Sequence, residues 1–142
     1  EKVAERIKHK IGSANNQEGI QEMEMCGRDL ITGLPKEVLV NDGQIREAMF
    51  RSVKFIIENI KSTLEVTPPE LVADIYERGI ILTGGGSLLQ GIDELISKEA
   101  DIPVRVADDP MTCVVRGTGS LIDDQDLLNE VTLPSTSDDS YN

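Results

Sequence analysis

Val3, Ala4, Ile7 and Ile11 fall at helical spacing, and Gly12, Ser13 and Asn15 follow as a stop, so the pattern predicts a helix over residues 1–11. From Ile20 to Cys26 the period changes to two. Met23 and Met25 alternate with Glu22 and Glu24, which predicts a strand with one wet face, and Gly27 with Arg28 begins the turn after it. A second short strand is predicted over Glu37–Val40, behind the breaker pair Gly33 and Pro35. Asn41 or Asp42 then caps a long helix. In it Ile45, Ala48, Met49, Val53, Ile56, Ile57, Ile60 and Leu64 form one apolar stripe of about five turns, enough to link two subdomains.

Thr67-Pro68-Pro69-Glu70 reads as the start of the next helix, with Thr67 as cap, Pro68 at the first helical position and Glu70 completing a capping box. That helix runs to about Arg78. Ile80, Ile81 and Leu82 are continuously apolar, as in a parallel strand covered on both faces. Thr83-Gly84-Gly85-Gly86 breaks the strand, and Leu88, Leu89, Ile92, Leu95 and Ile96 mark a helix after it. A strand over Val104–Val106 and a helix from a cap at Asp109-Pro110 to Ile122 complete the pattern. Strand, helix, strand, helix implies a right-handed parallel crossover with helices against the sheet, whereas the first forty residues predict a small helix-plus-hairpin unit.

Composition narrows the function classes. A chain of 142 residues with 39% hydrophobic content is about one domain long and can bury a core. Its net charge of −12 argues against a nucleic-acid surface, which needs clustered Lys and Arg. Residues 123–142 carry six acidic and no basic side chains, so the end of the chain reads as a polar, disordered tail. Cys26 and Cys113 each lie in an apolar stretch, which predicts small buried hydrophobes in a reducing, cytoplasmic setting rather than a disulfide. No apolar run approaches the roughly 20 residues that span a bilayer, and no signal peptide is legible. The first residue is Glu1, and helical spacing begins at once, so the sequence is expected to be a fragment of something larger.

Three glycines after a buried strand let backbone amides approach a ligand closely, and a helix start behind them favours a phosphate or nucleoside. The same pattern serves as a tight structural turn, and no Gly-Lys-Ser/Thr follows that would make it a Walker loop. Glu5 and Lys8 are helix neighbours at i, i+3, the spacing of an ordinary solvated ion pair. His9, between Lys8 and Lys10, reads as an exposed basic residue. Ser87 lacks a nucleophile elbow, neither cysteine has a histidine partner in sequence, and no metal-ligand cluster is present. Asp109 before Pro110 is more simply a cap than an acid catalyst.

The stretches AERIKHKIGSA (Ala4–Ala14), PPELVADIYERGIILTGGGSLL (Pro68–Leu89) and ADDPMTCVVRGTG (Ala107–Gly119) resemble the MreB family of bacterial actins, in matching order and spacing. The resemblance runs from Glu1 to about Ile122. It implies an α/β fold, the C-terminal part of an actin-like ATPase: a small outer subdomain with its connecting helix over 1–66, then the second half of an inner ribonuclease-H-like subdomain over 67–122. The strand-TGGG-helix pattern by itself is shared with heat-shock chaperone ATPases and sugar kinases.

The resemblance also implies that ATP lies in a cleft whose adenosine side this chain supplies. Glu5 and Lys8 would sit near the ribose and adenine, with Gly84, Gly85, Gly86, Ser87 and Leu88 closing over the nucleoside and adjoining phosphate. The family's phosphate loops, metal-holding acid, water-positioning acid and membrane-binding segment precede the first residue here. The chain alone is therefore expected to be inactive, and no magnesium ligand is identifiable in it. The parent is expected to be an ATPase at the inner, cytoplasmic face of the membrane. It would self-associate into filaments, work with cell-wall synthesis and membrane-anchoring proteins, and determine cell shape. Two rivals remain at this point: part of a chaperone ATPase, or an actin-fold binding module that has lost nucleotide function.

Overall fold

The computed structural model describes residues 2–16 and 18–132. In chain order the elements are α1 (Lys2–Ile11), β1 (Glu22–Arg28), β2 (Pro35–Asn41), α2 (Asp42–Val66), α3 (Pro69–Arg78), β3 (Ile80–Leu82), a 3₁₀ turn over Gly85–Leu88, α4 (Ile92–Ala100), β4 (Val104–Val106), α5 (Cys113–Asp123) and α6 (Gln125–Val131).

The first strand begins and ends two residues later than the period-two signal suggests, and the second is longer at both ends. β1 pairs antiparallel with β2 in a register that sets Met23 opposite Val40, Met25 opposite Val38 and Arg28 opposite Pro35. Gly27 and Arg28 are therefore strand, not turn. The reversal is built by Asp29, whose Oδ1 accepts the amides of Ile31 and Thr32, both at 2.9 Å, while the Arg28 guanidinium donates to the Gly33 carbonyl at 2.8 Å. Those two amides, with the Lys36 ammonium, hold the Asp29 carboxyl below its ordinary value. Both cysteines are free thiols, but Cys26 lies exposed on this hairpin and Cys113 is half-buried, so the expectation that they are buried fails. The strand pleat turns Cys26 to the side opposite Met23 and Met25, toward Glu37, whose carboxylate pushes the thiol up.

α2 begins as predicted. Asn41 accepts from the Gln44 amide at 2.9 Å and the Gln44 side chain accepts from the Asn41 amide at 3.1 Å, a complete capping box. Thr67, by contrast, does not cap α3. Its hydroxyl donates back to the Thr63 carbonyl at 2.6 Å, closing the end of α2, and Pro68 takes the cap position with Pro69 inside the helix. The hydroxyl finds a carbonyl four residues back before it can reach forward.

Val53 and Ile57 on α2 meet Ile92 and Ile96 on α4, each pair spaced i, i+4, and these four buried side chains form the main core cluster. Leu82 and Val104, from the parallel pair β3–β4, pack on its edge. Ile81 points away and is 51% exposed, so β3 is covered on one face among the described residues and not on both. α4 starts at Ile92 rather than behind the glycines, because Gly85–Leu88 is spent on a 3₁₀ turn. Asp109 adopts a left-handed φ of 48° in the turn before α5, and Thr112 is the residue at the helix cap. The Thr112 hydroxyl holds the Asp109 carboxylate at 2.6 Å, which explains why an Asp-Pro pair here makes a corner and not a helix start.

α6 is a helix the sequence reading assigns to the tail. Asp124 caps it by accepting the Asp126 and Leu127 amides. The remainder of the predicted tail, residues 133–142, lies outside the described residues.

Ile96 is 1% exposed, so Ile96→Ala is expected to cost about 2 to 5 kcal/mol in denaturant unfolding, against under about 1 kcal/mol for Val115→Ala on the 66%-exposed side of α5. A second expectation concerns acid. Because the folded Asp29 carboxyl titrates below its unfolded value, its contribution is complete above the ordinary aspartate range and is lost as pH falls through the lowered folded value. Protection of the Ile31 and Thr32 amides against exchange, relative to the intrinsic rate at each pH, should fall in that acid window, and in Asp29→Ala it should be low already at neutral pH.

Candidate functional site

A cavity of about 710 Å³ opens between α1, α2 and the glycine turn. This is within the size range of sites for small molecules. Lys8, His9 and Gly12 line it from α1 and its C-terminal corner, Met49, Ser52 and Ile56 from α2, and Gly85 to Gln90 from the turn. Although the chain carries a net charge of −12, no carboxylate among the described residues lines this cavity, and Lys8 and His9 are the only ionisable side chains among the described residues that do. Such a lining favours an anionic or strongly dipolar guest with an apolar portion.

The glycine turn is held at both ends. At its entry Gly84 has a φ of 78°, a left-handed value that suits glycine, and its amide donates to the Pro110 carbonyl at 2.8 Å. At its exit the Gln90 carbonyl accepts the Ala14 amide at 2.8 Å and lies 3.2 Å from the Ser13 hydroxyl. Ser13 is 1% exposed, and the same hydroxyl lies 2.8 Å from the Asn15 carbonyl, so its one hydrogen is shared between two acceptors. Asn15 extends the clasp to α4 through its amide and the Glu94 carboxylate at 3.0 Å. Arg46 of α2 ties in through the Asn15 carbonyl at 3.2 Å and Asp42 at 3.6 Å.

Of the residues singled out from sequence, Lys8, Gly85, Gly86, Ser87 and Leu88 share this cavity. Glu5 and Gly84 do not line it. Glu5 sits one turn before His9 on α1, with Glu5 Oε1 4.0 Å from His9 Nε2. Ser87 is buried and its hydroxyl donates to the Gly84 carbonyl at 2.7 Å, so that side chain closes the turn on itself. Gly86 is different: a Cβ placed there would meet nothing within 4 Å, and one at Gly85 would touch the Met111 sulfur at 3.3 Å. His9, Gly12 and Gln90 were not singled out as site residues in the sequence. The signal for the first two is the face shared by positions 5, 8, 9 and 12 of a helix; Gln90 carries no such signal, because its backbone and not its side chain makes the contact.

Comparison with known proteins gives the family of the chain. The family model described as MreB/Mbl protein matches residues 1–130. The cell shape-determining protein Mbl of Bacillus subtilis (strain 168) is 45% identical over 128 residues, which are 90% of this chain and 38% of that protein. The cell shape-determining protein MreB of Escherichia coli (strain K12) is 46% identical over 123 residues, 87% of this chain and 35% of that one. Among solved structures, MreB5 of Spiroplasma citri bound to ADP superposes with a TM-score of 0.84 at 34% identity, covering 92% of this chain and 40% of that chain. The same protein bound to AMPPNP gives 0.82. The chain thus spans less than half the length of the relatives it matches.

A Cβ at Gly12 would collide with the Lys8 carbonyl, whereas one at Gly86 has open space. Gly12→Ala should therefore lower the thermal midpoint by several degrees, and Gly86→Ala should leave it near that of the unaltered protein while narrowing the cavity. Melting curves monitored by circular dichroism check both.

Proposed function

Because the chain belongs to the MreB/Mbl family of actin-like, cell shape-determining proteins, we propose that it supplies the adenosine side of an ATP cleft in a filament-forming protein. The observation that carries the reading is the cavity between α1 and the glycine turn, which presents Lys8, a side-chain-free backbone at Gly85 and Gly86 and, among the described residues, no carboxylate. One relative of the same fold, MreB5 of Spiroplasma citri, bears ADP in one structure and AMPPNP in another, which supports a nucleotide as the guest. Membership of this family sets aside the chaperone reading.

The residues fit such a group. Lys8 carries a compact charge on an aliphatic stem, so it can cover a base with its methylenes while its ammonium faces sugar or phosphate oxygens. The Gly85–Leu88 turn offers leading amides of the kind a helical turn leaves without internal acceptors, and the absent side chain at Gly86 lets a ligand come close to them. Met49 and Ile56 supply apolar walls. Glu5 lies beyond the cavity lining at the outer end of the α1 face, where it can accept from sugar hydroxyls. ATP supplies the energy for polymerisation and release when bound. Among the described residues no group of three or more carboxylate, histidine or cysteine side chains is placed to hold a metal, so none is assigned to magnesium here.

In this reading residues 1–66 are the outer subdomain with its connecting helix, and residues 67–122 belong to the inner one. The full-length protein works at the cytoplasmic face of the membrane, self-associates, and guides cell-wall synthesis together with membrane-anchoring and wall-building partners.

Titration calorimetry with ATP and magnesium on the full-length protein tests the proposal. Lys8→Ala should weaken binding by about 1 to 3 kcal/mol through loss of charge-assisted hydrogen bonds. Unchanged affinity would remove Lys8 from the site. An absence of binding in the unaltered protein would leave an actin-fold module without nucleotide function and refute the proposal.

A further inference from the structure

The cavity takes its walls from the two units proposed above: α1, with Lys8 and His9, from residues 1–66, and the glycine turn, Gly85–Leu88, from residues 67–122. Past Gly12 on one wall and Leu89 on the other, the walls meet where the Gln90 carbonyl accepts the Ala14 amide at 2.8 Å. That bond joins two backbones. Beside it the Asn15 side chain crosses to α4, where its amide donates to the Glu94 carboxylate at 3.0 Å. Asn15 also packs against Gly91, where a Cβ would come within 3.1 Å of its side chain. Gly91 is the cap residue of α4 and has no side chain of its own to offer the helix start, so Asn15 occupies that place from the other unit. Asn15 itself does not line the cavity.

We infer that Asn15 is a positioning residue for the nucleotide site: its bond to Glu94 latches the α1 wall at the spacing from the glycine turn that a nucleotide needs. The inference rests on the nucleotide-site reading above and adds to it the side chain that fixes the width of the site. Bonds at the single Gln90 carbonyl set where the walls meet, but they let the walls swing apart about that point without turning the α1 face away. Asn15 adds a second attachment one turn along α4, and two attachments define an angle. A nucleotide that touches both walls binds the closely spaced arrangement better than an opened one. Whatever favours the opened arrangement therefore raises the apparent dissociation constant in proportion to the competent fraction lost. The Asn15–Glu94 bond lies at the surface, where it adds little to overall stability yet can bias an equilibrium between two neighbouring arrangements.

The test measures ATP affinity by calorimetry on the full-length protein, with hydrogen exchange at the Ala14 amide as a readout of the bridge without nucleotide. Asn15→Asp sets two carboxylates against each other in place of the bond. It should weaken ATP binding about five- to tenfold, the worth of one hydrogen bond, and lower the protection of Ala14. Glu94→Gln keeps an oxygen for the Asn15 amide and should bind ATP within about twofold of the unaltered protein. Asn15→Asp/Glu94→Gln restores a donor–acceptor pair with its polarity reversed and should recover most of the affinity and of the protection. Lys61→Met removes an exposed ion pair of 2.8 Å to Glu99, near the other end of α4, and should change ATP affinity by less than about twofold. Unchanged ATP affinity in Asn15→Asp, no recovery in the double variant, or an equal loss in Lys61→Met would overturn the inference while leaving the nucleotide site standing. If the unaltered protein binds no ATP, the nucleotide-site reading falls, and this inference falls with it whatever Ala14 shows.

Discussion

The carbonyl of Gln90 is the point on which the arrangement depends. It leaves the glycine turn, accepts the Ala14 amide and faces the buried Ser13 hydroxyl, and so fastens the corner after α1 to the turn after β3 across 77 positions of sequence. Buried backbone groups need partners, and here each segment satisfies the other's. Gly12 makes the approach possible, because a side chain there would strike the last turn of α1. Once the corner is fixed, Lys8 and His9 must face the cavity, since a helix pinned at one end has no freedom to rotate its face away. The Asn15 bonds to Glu94 and Arg46 then bring α4 and α2 into the same frame.

Electrostatics and packing divide the work. The core of Val53, Ile57, Ile92 and Ile96 holds α2 against α4 and gives the site a rigid wall. Each fully buried aliphatic side chain is worth roughly 1.5 to 3 kcal/mol, so these contacts, and not the exposed ion pairs, secure the geometry. The surface carries the acidic excess, while no carboxylate among the described residues lines the cavity. That segregation lets an acidic protein offer a site to an anion.

Much of the fold was legible in the sequence wherever one signal dominated. The long apolar stripe of α2, its Asn41 cap and the short β3 and β4 follow directly from periodicity and capping chemistry. The failures cluster where two local options compete. Thr67 bonds backward to Thr63, Asp109 turns the chain instead of starting a helix, and the glycines close a 3₁₀ turn before α4 can begin. The site was legible in part. By residue type alone Lys8 reads as half of an ordinary solvated ion pair and the glycine turn serves a ligand or a structural corner equally well; the family resemblance is what joins them, and the fold brings Lys8 and Gly85 to Leu88 to one cavity. The Glu5–His9 contact and the Gln90 clasp depend on rotamers and on a backbone meeting distant in sequence, which spacing alone does not encode.

In the proposed function the base and sugar of a nucleotide rest between the α1 face and the glycine turn. Photolabelling of the full-length protein with 8-azido-ATP, followed by mapping of the modified peptide, tests it most directly. The account predicts label within residues 5–12, 49–56 or 83–90, suppressed by excess ATP. Saturable, ATP-protected label confined to any other part of the protein would contradict it.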